Sequence, residues 1–175
     1  MHKNRSFTVI AINPGWRYLG IAIFDCAGLK EWRLKNMPGK DKKAKLDKVS
    51  SIVSHFIERY APTMLAIKEL HPSRSSPNLR MMASRIEAAC RKHRMRVCSY
   101  SVKELESVIS PGYRINKKDL SELLASEYPA LFRELEREKR NRNPYHLRLF
   151  EAVALGHICF QNFLISNQRQ ADEEN

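Results

Sequence analysis

Three short stretches hold the residues with most chemistry to offer. In TVIAINPGWRYLG (8–20), four apolar residues run into Asn13-Pro14-Gly15, and the chain turns apolar again after a basic-aromatic turn. LAIKEL (65–70) ends on Lys68 and Glu69, and the apolar segment that opens YHLRLFEAVAL (145–155) carries His146, Arg148 and Glu151. If the first two stretches are neighbouring buried strands and the third a helix lying over them, their polar residues converge on one spot. Enzymes built this way place acidic ligands there, because hard oxygen donors hold divalent cations that activate or stabilise reacting oxygens. Here the first strand ends on an amide.

The elements needed to bring these residues together are readable from the pattern. Residues 7–13 and 19–25 read as two strands joined at NPGWRY, and Asp25-Cys26-Ala27-Gly28 turns the chain into a third, 29–36. Apolar positions Leu46, Val49, Ile52, Val53, Phe56 and Ile57 have helical spacing within 41–60, and Pro62 ends that helix. A buried strand follows at 64–70, a helix at 78–92, a strand at 96–102, then helices at 102–109 and 117–127 and a charged helix or tail at 131–142. After Asn143-Pro144 comes a strongly apolar helix, 145–164. Three consecutive strands and then strand–helix alternation predict an α/β domain with a mixed sheet and helices on its faces. Residues 1–165 are expected to form that single domain, with 166–175 a polar, disordered tail.

Bulk composition narrows the partner. Lys and Arg number 31 against 19 Asp and Glu, a formal charge of +12, which favours a polyanion such as nucleic acid. No run of apolar residues in the sequence reaches the roughly 18 expected of a membrane span, and MHKNRSF lacks the apolar stretch of a signal peptide, so a cytoplasmic protein without membrane contact is expected. The four cysteines (Cys26, Cys90, Cys98, Cys159) lack metal-ligand spacing and read as reduced core residues.

The four blocks together resemble the RuvC-type Holliday-junction resolvases. IAINPGWRYLGIAIFD is similar to their opening, a strand ending Asp-Pro-Gly, and LAIKEL to their fourth strand, ending Ala-Ile-Glu. YSVKELESVISPGYRINKKDLSELL is similar to the segment leading to a Gly-x-x-x-Lys phosphate-contacting stretch. NPYHLRLFEAVALGHICF resembles their last helix, where two acidic residues spaced i, i+3 precede Ala-(Leu/Val)-Ala. The resemblance covers about residues 7–162. It implies an RNase H-like fold: a central five-stranded mixed sheet, three antiparallel strands first and then parallel ones, with helices on both faces.

The resemblance also implies where a two-metal centre would be, and there the residues depart from it. The family's acidic positions fall on Asn13, Lys68, Arg148 and Glu151, of which only Glu151 is acidic. Four carboxylates carry roughly −4, which two divalent ions balance; these four side chains sum to +1. Cations about 4 Å apart repel by several kcal/mol at an effective dielectric near 20, so no metal cofactor is expected. An alternative set of Asn13, Glu69, His146 and Glu151 reaches −2 and would suit one Mg²⁺ or Mn²⁺ ion, giving an atypical junction endonuclease. It needs Glu69 turned inward, whereas in a regular strand it faces away from Lys68. Otherwise Glu151 is a buried carboxylate paired with Lys68 and with Arg148, its i, i+3 neighbour.

The expected protein therefore keeps a surface for branched DNA and has lost the nuclease centre. Candidate contacts are Arg114, Asn116, Lys117 and Lys118 beside Pro111-Gly112, Arg74 and Arg80 after the fourth strand, and the turn residues Trp16, Arg17 and Tyr18. The aromatic rings there would stack on a splayed base or, for Trp16, cover the core edge. The resemblance further implies a homodimer through Leu79, Met82, Ile86 and Ala89, with Met81 and Met82 open as core residues instead. A scaffold role with protein partners in a recombination complex is the remaining reading.

Overall fold

The alternation of small and large apolar residues along the central strands sets the architecture. In the computed structural model, which describes residues 7–112, 114–141 and 145–173, β1 (Thr8–Asn13), β2 (Tyr18–Asp25) and β3 (Gly28–Asn36) form an antiparallel meander. Helix α1 (Lys42–Tyr60) crosses over to β4 (Met64–Lys68), and α2 (Pro77–Lys92) to β5 (Arg96–Tyr100). Both β4 and β5 run parallel to β1, so the order is β3-β2-β1-β4-β5. Then follow α3 (Val102–Ile109), α4 (Lys117–Glu127), a 3-10 turn at Pro129–Leu131, α5 (Phe132–Arg140) and α6 (His146–Glu173). This is the α/β fold with a five-stranded mixed sheet that the sequence predicts.

Successive strand residues face opposite sides, and the two sides carry different residues. Val9, Ala11, Ala22, Phe24 and Ala66 pack against Phe150, Val153, Ala154 and Ile158 of α6. Ile10, Ile12, Leu19, Ile21, Leu65 and Ile67 pack against Val49, Val53 and Phe56 of α1 and Met82 and Ile86 of α2. The alanines let α6 lie close to the sheet, and Gly156 goes further: a Cβ there would overlap the Phe24 ring. Burying a side chain such as Phe150 contributes about 1.5–3 kcal/mol.

Several expectations change here. Helix α6 does not end near 164 but continues through Glu173, so the expected tail is helical up to that residue. No Gly or Pro follows Gly156, and Phe163 stacks on Phe7 with centroids 4.0 Å apart, holding the extension to the domain. Over His146–Arg169, α6 is also long and apolar enough to cross a bilayer, which the sequence reading missed; its apolar side chains here fill the sheet core. Most of the stripe expected at a dimer contact faces inward: Met82 and Ile86 are fully buried and Ala89 packs on the same cluster, while Leu79 is half-buried outside it. Cys26 is exposed in the β2–β3 turn rather than in the core.

Candidate functional site

Because β1 and β4 are parallel neighbours, with Ile12 opposite Ile67, their last residues end side by side. Asn13 has the parity of Val9 and Ala11, and Lys68 that of Ala66, so both fall on the α6 side. Opposite Asn13 on β2 stands Gly20, against which the Arg148 carbonyl lies so closely that any Cβ would overlap it. The missing side chain thus brings the first turns of α6 down onto the strand ends and sets Glu151 over Asn13.

Both residues are buried, at 1% and 7% exposure. The Asn13 amide, Nδ2, donates to Glu151 Oε2 at 2.5 Å and lies 3.4 Å from the Arg148 carbonyl. Since a carboxylate only accepts hydrogen bonds, the amide nitrogen rather than its oxygen faces Glu151. On the other carboxylate oxygen, Oε1, two ammonium groups converge: Lys68 Nζ at 3.3 Å and Lys117 Nζ at 3.6 Å. A buried carboxylate without such partners would cost several kcal/mol. Lys117 starts α4, whose N-cap Asn116 accepts from the backbone N–H groups of Lys118 and Asp119. The cap fixes where the helix begins, and with it the reach of Lys117 toward Glu151.

Arg148 does not join this cluster. Helical side chains lean toward the N-terminus, so its guanidinium extends away from Glu151, donates to the Pro14 carbonyl at 3.1 Å and rests on Gly15. Glu69 lies beyond the end of β4, exposed, with its backbone N–H donating to the Tyr100 carbonyl. His146 turns to α5, its Nε2 3.4 Å from Glu134 Oε2, and burial lowers its pKa against the pull of Glu134. Neither Glu69 nor His146 contacts Glu151. Among the described residues, no three His, Cys, Asp or Glu side chains group as metal ligands.

The Asn13–Glu151 pair forms the floor of a cleft of about 1320 Å³. Six cations line it (Lys68, Arg74, Lys103, Arg114, Lys117, Arg148) against three carboxylates (Glu69, Glu106, Glu151). Four of the nucleic-acid candidates, Arg74, Arg114, Asn116 and Lys117, are thus brought together with the strand ends; Asn116 spends its side-chain oxygen on the helix cap. The rest lie elsewhere. Arg80 donates to the Pro72 carbonyl at 2.6 Å on the outer side of α2, and exposed Lys118 is absent from the lining. Trp16 covers the edge of the α1-side core with the Lys45 ammonium 5.0 Å from its ring centre, while Tyr18 stacks on Tyr145 at 4.7 Å, so those ring faces are occupied; Arg17 is exposed. Lys103 and the Lys117–Glu151 pair were missed, since both depend on where α3 and α4 begin.

No protein-family model matches the sequence, and no curated protein matches it. Solved structures do. RuvC of Thermus thermophilus aligns over 86% of this chain and 91% of its own at a TM-score of 0.66 and 16% identity. The T. thermophilus RuvC in complex with Holliday junction substrate aligns over 86% and 90%, at 0.65 and 15%. The yeast mitochondrial Holliday junction resolvase aligns over 95% and 84%, at 0.62 and 12%.

Proposed function

We propose, with the RuvC-type, RNase H-like fold of the chain as the premise, that this protein binds branched DNA through the cationic cleft and no longer carries a two-metal nuclease centre. The observation that supports it most is the surroundings of Glu151: an amide N–H donor on one oxygen and two ammonium groups on the other. These residues do not fit a pair of divalent ions. Oxygen donors are needed where Asn13 turns a nitrogen and where Lys68 and Lys117 bring positive charge. What the same groups can do is meet a phosphate. Lys117 is two-thirds exposed, and Arg114 and Arg74 line the same cleft, so a backbone entering the cleft meets charged donors without displacing core.

The test is binding and cleavage of a synthetic four-way junction. With about five phosphates neutralised, log affinity against log salt should fall with a slope near −4 to −5, and a matched linear duplex should bind more weakly. With Mg²⁺ or Mn²⁺ added, the junction should stay intact. Nicking by the wild type that disappears in Glu151→Ala would overturn the loss of the metal centre. Absence of binding at ~0.1 M salt, together with a fixed co-purifying protein, would favour the scaffold role instead.

A further inference from the structure

A second cationic surface lies outside the cleft and is joined to it through the β1–β2 turn. Pro14 lines the cleft; two residues on, the Trp16 carbonyl accepts from Lys45 Nζ of α1 at 2.7 Å. The next carbonyl, that of Arg17, accepts from the Met37 backbone N–H at 2.7 Å, and Lys48 Nζ donates to the Asn36 carbonyl at 3.0 Å. These bonds tie the turn, the end of β3 and the first half of α1 into one face. Arg17, Lys42 and Lys48 are exposed on it.

The charge on this face lacks local compensation. Among the described residues, none of Arg17, Lys42, Lys43, Lys45 and Lys48 is within ion-pairing distance of a carboxylate, whereas ten such pairs form elsewhere. Exposed Asp41 caps α1, accepting from the N–H groups of Lys43 and Ala44, and Asp47 pairs with none of the five. Lys45 is buried, at 3% exposure, under the turn it braces. Burial first, then repulsion from Arg17 and Lys48, pulls its pKa down. A polyanion laid over the face would offset that repulsion.

We propose that this face is a second phosphate-backbone site, which takes a duplex arm of the branched DNA whose branch point occupies the cleft. The inference rests on the cleft reading above. Its geometry suits a duplex rather than a small anion: from Lys42 to Lys48 the helix rises about 9 Å, and Arg17 widens the face beyond the helix. A duplex presents one charge per ~1.7 Å of axis, so several phosphates fall within that span.

The test uses the full chain, the double variant Arg17→Ala/Lys42→Ala, and two four-way junctions, with arms of about 20 and about 6 base pairs. Both side chains are exposed, so an unchanged thermal midpoint should confirm folding. On the long-arm junction the variant should lose about 1.8 from its salt slope, two phosphates at about 0.9 each, and about tenfold or more in affinity at ~0.15 M salt. On the short-arm junction it should match the wild type. Equal slopes for variant and wild type on long arms, while Arg114→Ala weakens both junctions, would overturn this site and leave the cleft reading standing. A wild type that binds neither junction would overturn both.

Discussion

Asn13 and Glu151 share a 2.5 Å hydrogen bond although 138 residues separate them in the chain. The bond joins the end of the central strand to the helix that covers it. Glu151 is buried there with both oxygens met: Asn13 donates to one, and Lys68 and Lys117 bring ammonium groups to the other. An amide at position 13 is therefore not a neutral filler. It is the uncharged donor that lets a single carboxylate be buried.

Replacing that donor with a second acid should make the point directly. In Asn13→Asp two carboxylates would face each other at hydrogen-bond distance, which raises the pKa of the pair above the unfolded carboxylate range. The folded state would then hold a proton that the unfolded state releases. Stability should fall by about 1–3 kcal/mol near neutral pH and recover as the pH drops toward the carboxylate range. Urea denaturation of variant and wild type across that range measures the difference; a constant gap at all pH values would contradict it.

Restoring acidity at three positions should restore an ion site. Asn13→Asp/Lys68→Glu/Arg148→Asp, with native Glu151, brings the cluster from +1 to −4, a charge that divalent ions balance. Mn²⁺ at about 100 times its dissociation constant should then stabilise the variant by about 2.7 kcal/mol, read as a rise in thermal midpoint. The wild type should show no specific shift. A variant that ignores Mn²⁺ would mean that the three positions do not correspond to a ligand set.

Neutralising the remaining acid should act in the opposite sense on nucleic acid. Glu151→Gln keeps a hydrogen-bonding side chain and frees Lys68 and Lys117 from their shared oxygen. Junction affinity should rise, with a salt slope steeper by about 1–2, since each added phosphate contact contributes about 0.9. Stability should fall by about 1–3 kcal/mol, mostly through Lys68, because Lys117 is largely solvated. Anisotropy titrations at several salt concentrations check the first part, denaturation the second.

Much of this site was legible in the sequence, for a reason tied to parity. Strand residues alternate sides, so once 8–13 and 64–68 are strands, Asn13 and Lys68 share a face and Glu69 cannot join them. The i, i+3 spacing of Arg148 and Glu151 suggested a pair, and the lean of helical side chains toward the N-terminus undid it, sending Arg148 to Pro14. Lys117 was readable as a basic residue near a turn, but its contact with Glu151 depends on the path of the chain from β5 through α3 to α4. The apolar stripe of α2 illustrates a different limit: periodicity reports which face is buried, not what covers it, and the sheet covers Met82 and Ile86. Trp16 was open between base and core for the same reason, and Lys45 lies against it.

Away from the cleft, acidification should weaken the fold through His157. Its Nδ1 lies 2.6 Å from the Tyr128 hydroxyl, and burial lowers its pKa below the ordinary 6.5, opposed by Glu127. The unfolded state therefore binds a proton that the folded state refuses, and stability declines as pH falls below 6.5. His146, also lowered by burial, adds to the decline with the same sign. Denaturation midpoints between about pH 8 and about pH 5.5 should show the loss, and His157→Gln should flatten part of it. A His157→Gln profile parallel to that of the wild type would rule His157 out as a source.

The closeness of α6 to the sheet rests on glycine at position 20, and a methyl group there should disturb the site without altering any of its side chains. Gly20 pairs with Asn13 across β1 and β2, and the Arg148 carbonyl fills the space a Cβ would take. Backbone on both sides cannot yield by a rotamer change, so Gly20→Ala must lift the first turns of α6. The lift lengthens the path from Glu151 to Asn13 and Lys68 together. Overpacking of this kind costs about 1–3 kcal/mol. Loosening the burial of Glu151 should also let its carboxylate exchange partners with solvent, so the variant should bind a junction with altered affinity, while Ala22→Gly, on the same strand and facing the same helix, should cost stability alone. If Gly20→Ala keeps both stability and junction affinity, the helix is not held by contact at this point and the convergence on Glu151 has another cause.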